Sequence, residues 1–147
     1  MKICIVSSAG GHLDEVRALR AAYGQFEHFY VINQPTEPTS DMRGRTYFIS
    51  HSERDLLFFK NLYEAWTILR RERPDVLIST GAGAIVPFSL IGKLFHNAEI
   101  IFVESLARVH KPSLSGRIMH RLATYFYYQS RTLKPFFPRG EYRGALL

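Results

Sequence analysis

The sequence predicts an α/β fold: a Rossmann-like, mostly parallel sheet with helices on both faces. Three observations carry that prediction. Short apolar runs of strand length alternate with stretches of helical spacing along the whole chain, the pattern of right-handed βαβ units. Two of the strand-to-helix junctions are rich in glycine, Ser7-Ser8-Ala9-Gly10-Gly11-His12 and Thr80-Gly81-Ala82-Gly83-Ala84. The 147 residues are enough for one core and too few for two, so residues 1–147 are expected to form a single domain.

Lys2-Ile3-Cys4-Ile5-Val6 reads as a fully buried strand and leads through the first glycine-rich turn into a helix over residues 13–20. A turn of this kind points backbone N–H groups outward at the positive end of a helix, and glycine lets a phosphate come close to the backbone. His12, at the mouth of the turn, can donate to a phosphate oxygen or take a proton near neutral pH. The same residues also fit a plain tight turn with a surface histidine, and six residues leave both readings open. The adjacent glycines do not match the G-x-G-x-x-G spacing of a dinucleotide site, and the chain has no G-x-x-x-x-G-K-[ST] loop.

Residues 26–32 are aromatic and β-branched and read as the second strand. Residues 33–41 hold two prolines and many turn formers and read as a loop, followed by a short strand at 46–50. A long helix is expected over 55–73, with Phe58, Leu62, Ala65, Trp66 and Leu69 in one stripe and Pro74 ending it. Leu57 and Ile68 fall outside that stripe, which makes the helix more apolar than burial of one face requires. After a strand at 75–79 and the second glycine-rich turn, residues 85–95 form a helix that is apolar on nearly all sides. Such a helix is buried between layers or presents Phe88, Ile91, Leu94 or Phe95 to an apolar partner.

The strand at 99–103 runs straight into Glu104-Ser105, where an open parallel sheet lines its ligand crevice, so Glu104 is a site candidate. A helix over 111–123 is expected to bury Leu114, Ile118, Met119 and Leu122 and to turn Arg117, His120 and Arg121 outward. Tyr125-Phe126-Tyr127-Tyr128-Gln129 reads as the last strand. From Ser130 the chain becomes basic, aromatic and proline-bearing, with no further helix expected to cover the sheet edge.

A net charge of +6 and a pI near 9.7 point to an anionic partner, whether nucleic acid, an anionic membrane face or a phosphorylated substrate. Nucleic acid has only the charge in its favour, because no recognisable module is present. The single cysteine, Cys4, lies in the first strand, so no disulfide framework is expected and a reducing compartment fits. No apolar run reaches the ~18 residues of a spanning helix, and the first residues carry no signal-peptide pattern. The expectation is a cytoplasmic protein able to lie on the inner face of the cell membrane, with no cofactor and no metal.

Four ordered stretches carry a family resemblance: Ser7-Ser8-Ala9-Gly10-Gly11-His12-Leu13, Arg73-Pro74-Asp75-Val76-Leu77-Ile78-Ser79-Thr80-Gly81-Ala82-Gly83, Pro87-Phe88-Ser89-Leu90-Ile91-Gly92-Lys93, and Phe102-Val103-Glu104-Ser105-Leu106-Ala107-Arg108-Val109. Together they resemble the acceptor-side subunit of two-component glycosyltransferases, the PssD/CpsF type of exopolysaccharide and capsule synthesis. Its eukaryotic counterpart acts in lipid-linked oligosaccharide synthesis. The family is similar to the N-terminal half of MurG, a GT-B enzyme. The resemblance implies a division of labour, in which a partner subunit binds the UDP-sugar donor and this chain supplies the lipid-linked saccharide acceptor site and the membrane contact.

By the same resemblance, Ser8, Gly10, Gly11, His12, Gly81 and Gly83 would face the acceptor diphosphate, with His12 and Glu104 as catalytic candidates. The surplus apolar residues Leu57, Ile68, Phe88, Ile91 and Phe95 would touch the membrane. The family pattern has Gln-Trp after the last strand and Tyr-Gly-Gly near the end, where this chain reads Gln129-Ser130 and Tyr142-Arg143-Gly144. A rival expectation is a non-catalytic protein that only recruits a self-sufficient transferase to the membrane.

Overall fold

The computed structural model describes residues 1–33, 37, 39–51 and 56–147. Residues 34–36 and 38 of the expected proline-bearing loop and the expected first residue of the long helix, Asp55, lie outside the described residues. Strand β1 (Lys2–Ser7) pairs in parallel with β2 (Glu27–Ile32) on one side and with β4 (Val76–Ser79) on the other. Outside β2 lies β3 (Thr46–Phe48). Outside β4 follow β5 (Glu99–Val103), β6 (Tyr125–Tyr128) and the two-residue β7 (Glu141–Tyr142), again all parallel.

The resulting order, β3-β2-β1-β4-β5-β6-β7, reverses direction between β1 and β4. At such a switch point the two connections leave on opposite faces and open a crevice at the carboxyl ends of the strands. Both glycine-rich turns leave the sheet at that place.

The period of two along β1 divides the core. Ile3 and Ile5 face a layer containing Leu13 and Val16 of α1 (Gly11–Ala18) and Tyr23 of α2 (Arg20–Tyr23). Cys4 and Val6 face the larger layer. It holds Leu69 of α3 (Leu57–Glu72), Ile85 and Phe88 of α4 (Ile85–Phe95) and Met119 of α5 (Leu114–Leu122). Helices therefore cover both faces, as expected, but unequally. Cys4 is fully buried, and desolvation pushes its thiol well above the usual range, so it packs as a small apolar side chain.

Tertiary packing corrects several apolar assignments. Ile68 is only 8% exposed and Phe88 is completely buried, so neither can touch a membrane. On α3 the buried face runs through Asn61, Ala65, Ile68 and Leu69, with Phe58 partly buried against the same core, which rotates the stripe away from Trp66. Ile91 is partly buried against the core, whereas Leu57 and Phe95 remain exposed. The edge of Phe95 meets the Trp66 ring, with centroids 4.9 Å apart at 90°.

On α5 the expected buried pair Leu114 and Ile118 is exposed, while His120, expected outside, packs beside Phe126 and Phe137 with ring centroids 5.2 and 5.3 Å away. The reason lies in the tail. A 3-10 segment, Arg131–Phe136, and β7 fold back over the edge of the sheet and deliver Phe137, 1% exposed, onto Phe126. Neither short element has enough length for a periodic signal.

Burial, reinforced by Arg139 and Arg121, lowers the pKa of His120 below that of a free histidine. The unfolded chain therefore takes up this proton first as pH falls. The stability due to the neutral ring is present above about pH 6.5 and is lost as the pH drops through the folded-state value. His120→Phe should flatten the acid side of the stability profile, so that the Tm difference between pH 7 and pH 5 is smaller than in the unsubstituted protein.

Candidate functional site

The crevice between β1 and β4 widens into a cleft of about 840 Å³ whose lining includes Ser8, His12, Asn33, His51, Gly83, Ser105, Arg108 and Ser113. Its floor is made by the two turns. Gly10 has φ 87° and ψ −145°, a conformation that costs a side-chain-bearing residue energy, and its carbonyl accepts from the N–H groups of Leu13 (2.9 Å) and Asp14 (3.2 Å). No side chain caps α1. A Cβ on Gly11 would meet nothing within 4 Å, so the space over the positive end of the helix is open.

The second turn is held by Ser79, whose hydroxyl donates to the Gly81 carbonyl (2.6 Å) and accepts from the Gly81 N–H (3.2 Å). Ala82 adopts φ 79°, a left-handed conformation that stores strain on the order of 1 kcal/mol. The two turns lock reciprocally. Thr80 Oγ1 donates to the His12 carbonyl at 2.8 Å, and His12 Nδ1 lies 3.1 Å from the Thr80 carbonyl oxygen. A carbonyl only accepts, so Nδ1 carries the hydrogen, and Nε2 is the ring nitrogen left for a ligand.

Gly81 has a different job from the expected phosphate contact. A Cβ there would stand 2.3 Å from His12 Cε1, so this glycine makes the seat on which the imidazole rests. Ser8 and Gly83 line the cleft, as do the exposed rings and side chains of Phe59, Leu114 and Ile118 and the half-buried Phe58. The apolar residues of α5 that left the core thus form a wall of the cleft.

Glu104 sits at the predicted place after β5, but its carboxylate is turned into the protein. It is completely buried and accepts from the Ser113 N–H (3.1 Å), the Ser113 hydroxyl (2.8 Å to Oε1) and the Ser105 N–H (3.2 Å). Ser113 is the N-cap of α5, accepting from the Gly116 N–H at 2.8 Å. The carboxylate therefore anchors the start of α5, at the end of the helix where negative charge is favoured. A Cβ on Gly116 would come within 1.9 Å of Glu104 Oε2. Its role as a catalytic candidate is corrected to a structural one.

No sequence signal marks Glu15, 5% exposed, or Gln129, 6% exposed. Glu15 accepts from the Ser105 hydroxyl (2.7 Å) and from Gln129 Nε2 (2.9 Å). Glu15 follows Asp14 in a helix that reads as polar, and nothing in the spacing separates a buried acid from a solvated one. Ser113 was readable, since serine just before an apolar helical pattern is an N-cap signal.

By fold the chain is one Rossmann-like half of the GT-B architecture. It superimposes on a UDP-GlcNAc 2-epimerase from Methanocaldococcus jannaschii with a TM-score of 0.70 at 16% identity, covering 95% of this chain and 42% of that one. It superimposes on Acinetobacter baumannii MurG with a TM-score of 0.70 at 14% identity, covering 88% and 41%.

By sequence, residues 42–146 match the family described as oligosaccharide biosynthesis protein Alg14 like, and the chain belongs to that family. The UDP-N-acetylglucosamine transferase subunit ALG14 of Rattus norvegicus is 36% identical over 97 residues, which are 60% of this chain and 45% of that protein. The human protein of the same name is 24% identical over 180 aligned positions, covering 100% of this chain and 83% of its own length.

The seat of His12 is testable by itself. Gly81→Ala should displace the ring, break its bond to Thr80 and destabilise the fold by about 1–3 kcal/mol. In the His12→Ala background the same change should cost less, because the ring is no longer in the way, and a double-mutant cycle by urea denaturation reads the difference.

Proposed function

We propose that this chain is the acceptor-binding, membrane-associating subunit of a heteromeric glycosyltransferase. That enzyme moves a sugar, N-acetylglucosamine by analogy with the named relatives, from a UDP-sugar to a polyprenyl-diphosphate-linked saccharide. The observation that carries this reading is His12, held by Thr80 and Gly81 beside the open N-terminus of α1 in the switch-point crevice. Helix N-termini favour phosphate oxygens, and a histidine with Nδ1 committed offers Nε2 as a base.

In the reaction Nε2 accepts the proton of the acceptor hydroxyl while that oxygen forms a bond to the anomeric carbon of the donor. The bond from that carbon to the UDP oxygen breaks, and UDP leaves with the electron pair. The relatives it matches are named as subunits of a transferase, so the donor site is assigned to a second chain. The purified chain alone should therefore transfer no sugar, and mixing with a donor-binding partner should restore transfer. Turnover by the isolated chain would overturn this division.

Membrane contact is assigned to the cleft rim in place of the buried Ile68 and Phe88. Leu56, Leu57 and Phe59 at the start of α3 and Leu114 and Ile118 on α5 are exposed, with Lys60, Arg108, Lys111 and Arg117 nearby in sequence. Each basic residue at an anionic surface is worth about 1 kcal/mol, and a few inserted apolar side chains supply the remainder of a peripheral contact. No helix among the described residues is long and apolar enough to cross a membrane. Flotation with anionic liposomes should weaken with salt and be lost in a Phe59→Asp, Leu114→Asp double variant.

His12→Ala should lower kcat of the reconstituted pair about 10²–10⁴-fold with little change in acceptor KM. A raised KM at unchanged kcat would reassign His12 to diphosphate binding, and no change in either would remove it from the site.

A further inference from the structure

Glu15 lies one turn after His12 on α1, and its carboxylate is buried. Among the described residues it makes no ion pair, and it is compensated by three donors: the Ser105 hydroxyl (2.7 Å), Gln129 Nε2 (2.9 Å) and the Leu106 N–H (3.3 Å). A buried carboxylate that loses one donor is costly, so α1 is held wherever these donors stand.

Gln129 is the hub. Its Nε2 also donates to the Glu104 carbonyl at 3.1 Å, and its Oε1 accepts from the Leu146 N–H at 2.7 Å. Carbonyl and carboxylate oxygens only accept and a backbone N–H only donates, so the orientation of this amide is fixed without ambiguity. Gly144, at φ 96°, gives the tail the left-handed bend that precedes Leu146. A continuous path of hydrogen bonds therefore runs from the Leu146 N–H through Gln129 to Glu15, and along a rigid eight-residue helix to His12.

We propose that Glu15 and Gln129 are positioning residues through which the C-terminal tail sets the placement of the His12 ring. When the tail donates to Gln129, the amide holds Glu15 and α1 keeps His12 on Gly81 and Thr80. When the tail is drawn away, Gln129 is free to turn, Glu15 lacks a donor and α1 shifts. The catalytic meaning of this coupling rests on the function proposed above, while the coupling itself does not. A subunit that engaged the tail would thereby act on the histidine.

The test uses the full chain alone and observes the His12 Cε1–Hε1 cross-peak by NMR, assigned with a His12→Gln variant. Leu146→Pro deletes the N–H, while Leu146→Ala keeps it and removes most of the side chain. The cross-peak should move by more than its line width in Leu146→Pro and stay in place in Leu146→Ala. Glu15→Gln, which sets amide hydrogens against Gln129 and the Leu106 N–H, should move it as well. A cross-peak unmoved in Leu146→Pro would overturn the proposal, and so would equal movement in the proline and alanine variants, which would assign the effect to packing. If Glu15→Gln does not fold, the two tail variants decide alone. Because no sugar transfer is measured, failure here is distinct from failure of His12 as a base, which the kinetics read.

Discussion

The parallel pairing of β1 with β4 brings Ile5 level with Ile78, so two turns that are 68 residues apart in sequence leave the sheet side by side. From that pairing follow the reciprocal bonds between His12 and Thr80 and the contact of the imidazole with the backbone of Gly81. Had β4 been shifted by one residue, its side chains would have exchanged faces and Thr80 would no longer meet His12. The remaining parts of the cleft are arranged around this junction. The open end of α1 lies on one side, the capped end of α5 on another, and the apolar rim above.

Two buried acids organise the loop after β5. Glu104 gathers donors from Ser105 and Ser113 and so fixes the first turn of α5, while Glu15 reaches across from α1 to Ser105 and Leu106. Burying carboxylates costs several kcal/mol unless every oxygen finds a donor. The return on that cost is a loop whose course is over-determined, with Ser105 and Arg108 delivered to the cleft wall.

Strong local periodicity made the layered architecture legible, together with the glycine-rich junctions and the position of His12. Wherever a residue's fate depended on its partner, the sequence was silent. Phe88 and Phe95 belong to the same apolar helix, yet one is in the core and the other is 58% exposed, because only the neighbouring α3 and α5 decide which side is covered. The place of Glu104 after a strand points it at a ligand, and Ser113, nine residues later, turns it inward. Leu114 and Ile118 have core composition at core spacing, but Phe137 from the tail and His120 took the positions they would have filled.

Gly81 and Gly116 are each defined by a side chain from elsewhere, Gly81 by the His12 ring and Gly116 by the Glu104 carboxylate. Each is half of a lock whose other half lies on a different element. Sequence change at such a pair has a preferred order, since the large partner must shrink before the glycine can grow, and the reverse path passes through a clash. In a diverging lineage a non-glycine at position 116 should accompany a shorter residue at position 104, a signature of epistasis that single-site variability would hide. The drift of the cleft is thus steered by backbone positions as much as by the side chains that line it.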